Sequence, residues 1–184
     1  MKLIVAVTGA SGSVYAENLL KTAKKMEIET HLIISKAAEK VIKHELGSVN
    51  ELKGLSDYIY GPDDLESPLA SGSFVVNGMI IVPASMKTIG ALAHGYNSNL
   101  VTRAADVQLK ERRPLIIVPR ETPLHAIHLE NMAKLSTLGA VILPAMPAFY
   151  HEPATIDDLV NFITGKILDQ LGVPNELYKR WAGA

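Results

Sequence analysis

Apolar runs of strand length recur along the chain at Leu3–Val7, His31–Ile34, Met79–Val82, Leu115–Val118 and Ala140–Leu143. Each is followed by Gly, Pro or Ser and then by a stretch with helical spacing, which predicts helices over Ser13–Met26, Ala37–His44, Thr88–His94, Leu100–Glu111, Leu124–Leu138 and Ile156–Leu171. The runs lack the period-2 polarity of a half-solvated sheet, so they read as parallel strands buried on both faces. Strands that alternate with helices predict an α/β protein: a three-layer, doubly wound, mainly parallel sheet of the flavodoxin/Rossmann-like kind, with residues 1–184 as a single domain. Between Gly47 and Asn77 the pattern dissolves into Gly, Pro, Ser and acids, which predicts a long loop or lid. The segment after Gly172, with Tyr178, Arg180 and Trp181, is expected to pack as a C-terminal tail.

Composition narrows the function classes. With 184 residues, 48% of them hydrophobic, the chain can bury a sizeable core. Lys+Arg 18 against Asp+Glu 19 gives a formal charge of -1, so no overall basic field points to nucleic acid or to an anionic membrane. The absence of cysteine removes thiolate catalysis and Cys-based metal sites. The first apolar run is too short for a signal peptide, and a cytoplasmic protein is the expectation.

The candidate chemistry clusters where predicted strands end, the edge at which open α/β sheets bind ligands. The first strand runs into Thr8-Gly9-Ala10-Ser11-Gly12-Ser13, where backbone N–H groups and a helix start can meet a phosphate, or where glycine merely makes a tight turn. The spacing is neither the Gly-x-Gly-x-x-Gly of dinucleotide folds nor a P-loop, and the second strand ends in Ser35-Lys36 instead of a ribose-binding acid. FMN therefore fits better than NAD or ATP, with Ser35 as a ligand or simply a helix cap. After the third run, Pro83-Ala84-Ser85-Met86-Lys87-Thr88 offers a second hydroxyl-bearing turn. The fourth delivers Arg120 and Glu121, a cation beside an acid that either pair with each other or act separately, Glu121 then as a general acid/base. Arg103, Lys110 and Lys166 are further cations that suit an anionic second substrate such as a phosphate. Glu45 alone reads as a surface residue. His125, His128 and Glu130 lack a third ligand in register, Asp63-Asp64 has no partner motif and Asp157-Asp158 reads as first-turn acid, so no metal is expected.

With these residues placed, the chain resembles the flavin prenyltransferase family over essentially its whole length. The resemblance rests on Thr8–Gly12, Ile34–Ala38, Ala70-Ser71-Gly72-Ser73, Arg103–Val107, Leu109–Leu115, Val118-Pro119-Arg120-Glu121, Ile127–Met132 and Phe149-Tyr150-His151. It implies that reduced FMN is a substrate, receiving a dimethylallyl group from dimethylallyl phosphate at N5 and C6, and that the prenylated FMN serves UbiD-like decarboxylases. By similarity Gly9, Ala10, Ser11, Ser35, Ser85, Met86, Lys87, Thr88 and Arg120 hold FMN, while Glu45, Arg103, Lys110, Glu121, Tyr150 and Lys166 surround the prenyl phosphate. Within that set Glu121, Lys110 and Glu45 are the catalytic candidates. The resemblance also implies a homo-oligomer, typically a dodecamer, with sites between subunits. The competing readings are an FMN-dependent decarboxylase of an aromatic or cysteinyl acid and a non-catalytic flavin carrier. Against the cysteine decarboxylases stands Met86-Lys87, where their turn carries Ala-Asn.

Overall fold

The computed structural model describes residues 1–183. Six strands, β1 (Lys2–Val7), β2 (Glu29–Ile34), β3 (Tyr58–Tyr60), β4 (Gly78–Ala84), β5 (Leu115–Pro119) and β6 (Val141–Ile142), pair in parallel in the order β3-β2-β1-β4-β5-β6. Helices α1 (Ser13–Lys25), α2 (Lys36–Glu45), α3 (Val49–Lys53), α4 (Met86–Ala93), α5 (Leu100–Lys110), α6 (Ala126–Thr137) and α7 (Ile156–Gln170) cover both faces. Because successive side chains of a strand point to opposite sides, Leu3, Val5 and Val7 pack with Leu19, Ile42 and Ile163, from α1, α2 and α7. Ile4 and Ala6 pack on the other face with Ile89, Ala104 and Leu135, from α4, α5 and α6. Two buried faces are why the strands read as continuous apolar runs. Among the described residues, no helix is long and apolar enough to cross a membrane.

The chain winds outward from β1 through β2 to β3, then crosses back to place β4 on the other side of β1. The order reverses between β1 and β4, so a crevice opens at their carboxyl ends, where doubly wound sheets bind ligands.

The expected loop or lid between Gly47 and Asn77 is instead partly regular: it contains α3, the edge strand β3 and a 3-10 turn at Pro68–Ala70. β3 escapes the sequence because it is three residues long, pairs only with β2 and leaves Tyr58 and Ile59 half exposed. Its tyrosines explain how β2 can start on polar residues. Buried His31 stacks on Tyr58 at 4.7 Å, and its ring nitrogens meet Tyr60 OH at 3.0 Å and Glu29 Oε1 at 2.8 Å. At the far edge, β6 is only Val141–Ile142, shorter than the expected Ala140–Leu143. Helix α6 begins at Ala126, because Pro123 and the residues around it belong to the turn that carries Glu121.

Candidate functional site

The carboxyl edge is built around a proline in a central strand. Pro83 has no N–H to give to the ladder, and the β4–β5 register shifts between Ile81 and Ala84. The Pro83 carbonyl is taken up by Thr8, from its backbone N–H at 3.2 Å and its hydroxyl at 2.8 Å, and the Thr8 hydroxyl oxygen in turn accepts the Ser85 N–H at 2.7 Å. On either side, Ser35 N–H donates to the Val7 carbonyl at 3.0 Å and Arg120 N–H to that of Ala84 at 3.3 Å. Four strand ends are thus tied together just before their loops diverge.

Those loops frame a cleft of about 680 Å³. Gly9 and Ser35 line it from the first two strands, and Ser85, Lys87 and Thr88 line it from the start of α4. Two helices begin here: the Ser35 hydroxyl accepts the Ala38 N–H of α2 at 3.2 Å, and the Ser85 hydroxyl accepts the Thr88 N–H of α4 at 3.4 Å. Their unpaired first-turn N–H groups, the hydroxyls of Ser35, Ser85 and Thr88, and the ammonium groups of Lys36 and Lys87 suit a phosphate. Gly9 is required by close approach, since a Cβ there would lie 2.7 Å from the Cβ of Ala37. The opposite wall, Pro62, Asp63, Tyr96, Ser98, Asn99 and Thr102, holds none of the predicted site residues; in the sequence Asp63 bears only on a metal. Its one legible signal was Asn97-Ser98-Asn99 ahead of α5, where Asn99 forms a capping box with Thr102. Lys36 forms an ion pair with Asp63 on the rim.

The start of α1, expected to meet a phosphate, is occupied by the protein itself. Its N-cap is Gly12, which has no side chain to cap with, and the Glu45 carboxylate accepts the N–H groups of Gly12 at 3.0 Å and Ser13 at 2.7 Å. Burial disfavours the ionised Glu45, but hydrogen bonds from the Ser11 hydroxyl and from the Ser13 and Gly12 backbone outweigh it and hold its carboxyl below the ordinary range. Arg120 turns the same way, its Nε donating to the Ser11 carbonyl at 3.1 Å. Glu121 turns elsewhere, its carboxylate accepting the Thr122 N–H at 3.1 Å. The Arg-Glu step therefore gives its two side chains different hydrogen-bond partners, Arg120 on the first loop and Glu121 on Thr122, while both line a hollow with Leu124 and Met146. Tyr15 also belongs here: burial raises its phenol and the Arg120 charge opposes that rise.

Of the fifteen residues predicted for the site, five line the cleft; Ala10, Ser11, Arg120 and Glu121 lie on the loops beside it, with Glu45 at the end of α2, and five more lie elsewhere. Met86 starts α4 but packs into the core. Arg103 donates from Nε to the Ala70 carbonyl at 3.0 Å and pairs with Asp106 at 3.0 Å, while Lys110 pairs with Glu111. Arg113 adds donors to the Gly72 and Phe74 carbonyls, so this group of cations grips the 70–74 segment. Tyr150 meets Phe162 and Trp181 edge to face, and Lys166 lies 3.9 Å from Asp169. Within one chain, then, the predicted residues form three groups: the carboxyl edge, the α5 cations and the α7 end. The rings of His125 and His128 lie 3.5 Å apart, tilted by 30°.

The fold and the site's residues have counterparts among known proteins. The Flavoprotein family model matches residues 1–168. A flavin prenyltransferase UbiX from Methanocaldococcus jannaschii is 52% identical over 182 residues, covering 98% of both chains. A dodecameric FMN-dependent UbiX-like decarboxylase from Escherichia coli O157:H7 superposes with a TM-score of 0.97 at 46% identity, covering all of both chains. AnUbiX (PadA1), solved with FMN and dimethylallyl pyrophosphate, gives a TM-score of 0.97 at 42% identity and covers 100% of this chain and 98% of its own. With that degree of identity along its whole length, the chain belongs to the flavin prenyltransferase family of flavoproteins.

Proposed function

We propose that the protein transfers a dimethylallyl group from dimethylallyl phosphate to N5 and C6 of reduced FMN, so that FMN is a substrate and prenylated FMN the product. The observation that carries this reading is the cleft at the β1/β4 switch, lined by hydroxyls at two helix starts, in a chain 42–52% identical to flavin prenyltransferases and to a homologue holding FMN and dimethylallyl pyrophosphate. In this reading Ser35, Ser85, Lys87 and Thr88 hold the ribityl phosphate, and Gly9, Ala10, Ser11 and Arg120 hold the flavin side. Glu121, hydrogen-bonded to Thr122 and not to Arg120, moves a proton between the leaving phosphate and the flavin. Glu45 fixes the first loop and borders the donor.

Arg103, Lys110, Tyr150 and Lys166 fall outside the cleft of a single chain, and the reading brings them to it from neighbouring copies in a homo-oligomer. The dodecameric state of the Escherichia coli homologue supports this arrangement. A monophosphate leaving group needs such cations, and an allyl cation needs a water-poor pocket. The product serves UbiD-like decarboxylases. A cytoplasmic location goes with this reading, because both substrates are charged phosphate esters that bilayers exclude.

Incubating the protein anaerobically with reduced FMN and dimethylallyl phosphate, then weighing the flavin by mass spectrometry, is the test. A flavin heavier by one five-carbon prenyl unit is expected, and an unchanged flavin mass refutes the reading. A second reading, direct FMN-dependent decarboxylation, is favoured by the description of the Escherichia coli homologue as a decarboxylase. It predicts carbon dioxide release from an aromatic acid with no change in flavin mass.

A further inference from the structure

One side of α7 carries Phe162, Gly165, Lys166 and Asp169, at spacings that stack along a single helical face. The chain after Gly172 folds back across this face. Val173, Leu177 and Tyr178 pack on the core, Asn175 Nδ2 donates to the Gly165 carbonyl at 3.3 Å, and the Asp169 carboxylate gathers the remaining polar contacts. Asp169 Oδ2 accepts from the Tyr178 hydroxyl at 2.6 Å and Arg180 Nη1 at 3.1 Å, and Oδ1 accepts from Arg180 Nη2 at 2.7 Å and Asn175 Nδ2 at 3.0 Å. The Tyr178 ring lies directly on the backbone of Gly165, where a Cβ would come within 2.6 Å of it, and meets Phe162 edge to face at 4.9 Å. Three residues on, the Trp181 indole meets the Tyr150 ring edge to face at 5.7 Å.

The same Asp169 Oδ2 lies 3.9 Å from Lys166 Nζ, a separation at which ions interact but do not form a close hydrogen bond. The paired contacts from Arg180 satisfy the carboxylate, and that leaves the ammonium of Lys166 only loosely compensated. The Arg180 hydrogen bonds, against burial and with help from Tyr178 and Asn175, pull the Asp169 carboxyl down to about 2, so it is ionised throughout the neutral range.

We infer that Asp169 is a positioning residue for the prenyl-donor side of the site: it latches the C-terminal strap onto α7, fixes Tyr150 through Trp181, and leaves Lys166 available to an incoming phosphate. The inference rests on the reading that Tyr150 and Lys166 meet the donor phosphate. The latch itself is read without turnover, because Trp181 is the one tryptophan of the chain.

The test compares the full-length protein with Asp169→Asn, Arg180→Ala and Asp169→Glu. In the first two, Trp181 emission should shift to the red and acrylamide quenching should rise. The KM for dimethylallyl phosphate should rise about tenfold, the cost of losing roughly one charge-assisted contact, while kcat and FMN affinity stay within about twofold. Asp169→Glu, which restores the charge, should recover part of both signals. Unchanged Trp181 emission in Asp169→Asn and Arg180→Ala would overturn the latch, and FMN affinity falling in parallel with donor KM would overturn the positioning role. A wild-type protein that makes no prenylated flavin, yet whose Trp181 responds to Asp169→Asn, would refute the prenyl reading and keep the latch. Wild-type turnover with an unresponsive Trp181 would refute the latch alone.

Discussion

The carboxyl edge of the sheet and the C-terminal strap both carry residues of the proposed site, but they are held by different forces. At the edge, Thr8, Ser35, Ser85 and Arg120 are fixed through backbone groups at the ends of strands buried on both faces, so each position is set by the ladder and by the core beneath it. At the strap, Tyr150 and Trp181 are held mainly by side chains, through the Asp169 carboxylate, edge-to-face rings and the packing of Tyr178 on the core, at a surface where Trp181 is 64% exposed. The difference indicates a division of labour. On the proposed function, the edge would keep a rigid cradle for the planar flavin, and the strap would give the smaller donor a side that can be loosened without disturbing the fold.

The largest expected effect separates chemistry from binding at the edge. Glu121→Gln keeps the shape and the contact with Thr122, and should leave FMN affinity unchanged while slowing adduct formation at least about a hundredfold, the usual scale of a lost general acid/base. Single-turnover mass spectrometry of the flavin checks this, and wild-type rates would remove Glu121 from the mechanism.

A smaller effect tests whether the edge is held as described. Thr8→Val is nearly isosteric but leaves the Ser85 N–H and one lone pair of the Pro83 carbonyl without their partner in a buried place, which should cost about 1–3 kcal/mol in urea unfolding and weaken FMN binding with it. If stability is unchanged, the strand ends do not depend on the Thr8 link, and the edge is held no more firmly than the strap.

The smallest effect belongs to the strap and is read by pH. The Asp169 carboxyl is depressed from 3.8 to about 2 in the folded chain. A group whose folded pKa is lowered contributes stability that is complete above the unfolded value and is lost as pH falls through the folded one, so the strap should loosen between about pH 4 and pH 2. Trp181 emission should move to the red in that window ahead of far-UV circular dichroism. If the two signals move together, the strap is not an independent unit.

Much of this was legible along the chain. The parallel, doubly wound sheet followed from apolar runs bounded by Gly, Pro and Ser, because strands buried on both faces leave no other pattern. The hydroxyl turns at Ser35 and Ser85 and the Arg120-Glu121 step were visible for the same reason: each sits at a strand end, and the strand end is where the fold puts a site. β3 was not legible, since three residues, two of them half exposed, carry no periodic signal and owe their strand form to β2 and His31. Nor was the far wall of the cleft, which consists of ordinary polar residues brought opposite Gly9 only by the winding of the chain.

The sequence by itself determined which residue types stand at which strand ends, because local periodicity and turn chemistry are short-range properties. Only the tertiary structure decided which of them meet. It gave the α1 start to Glu45, whose carboxylate comes from the far end of α2 to satisfy N–H groups that Gly12 has no side chain to cap. It gave Arg120 and Glu121 different hydrogen-bond partners, although adjacent opposite charges read equally well as a pair. It also placed Asp169, which in the sequence is one more acid on a helix, within hydrogen-bonding reach of Tyr178 and Arg180. Such contacts depend on distances across the fold, and those are fixed only once the whole core has packed.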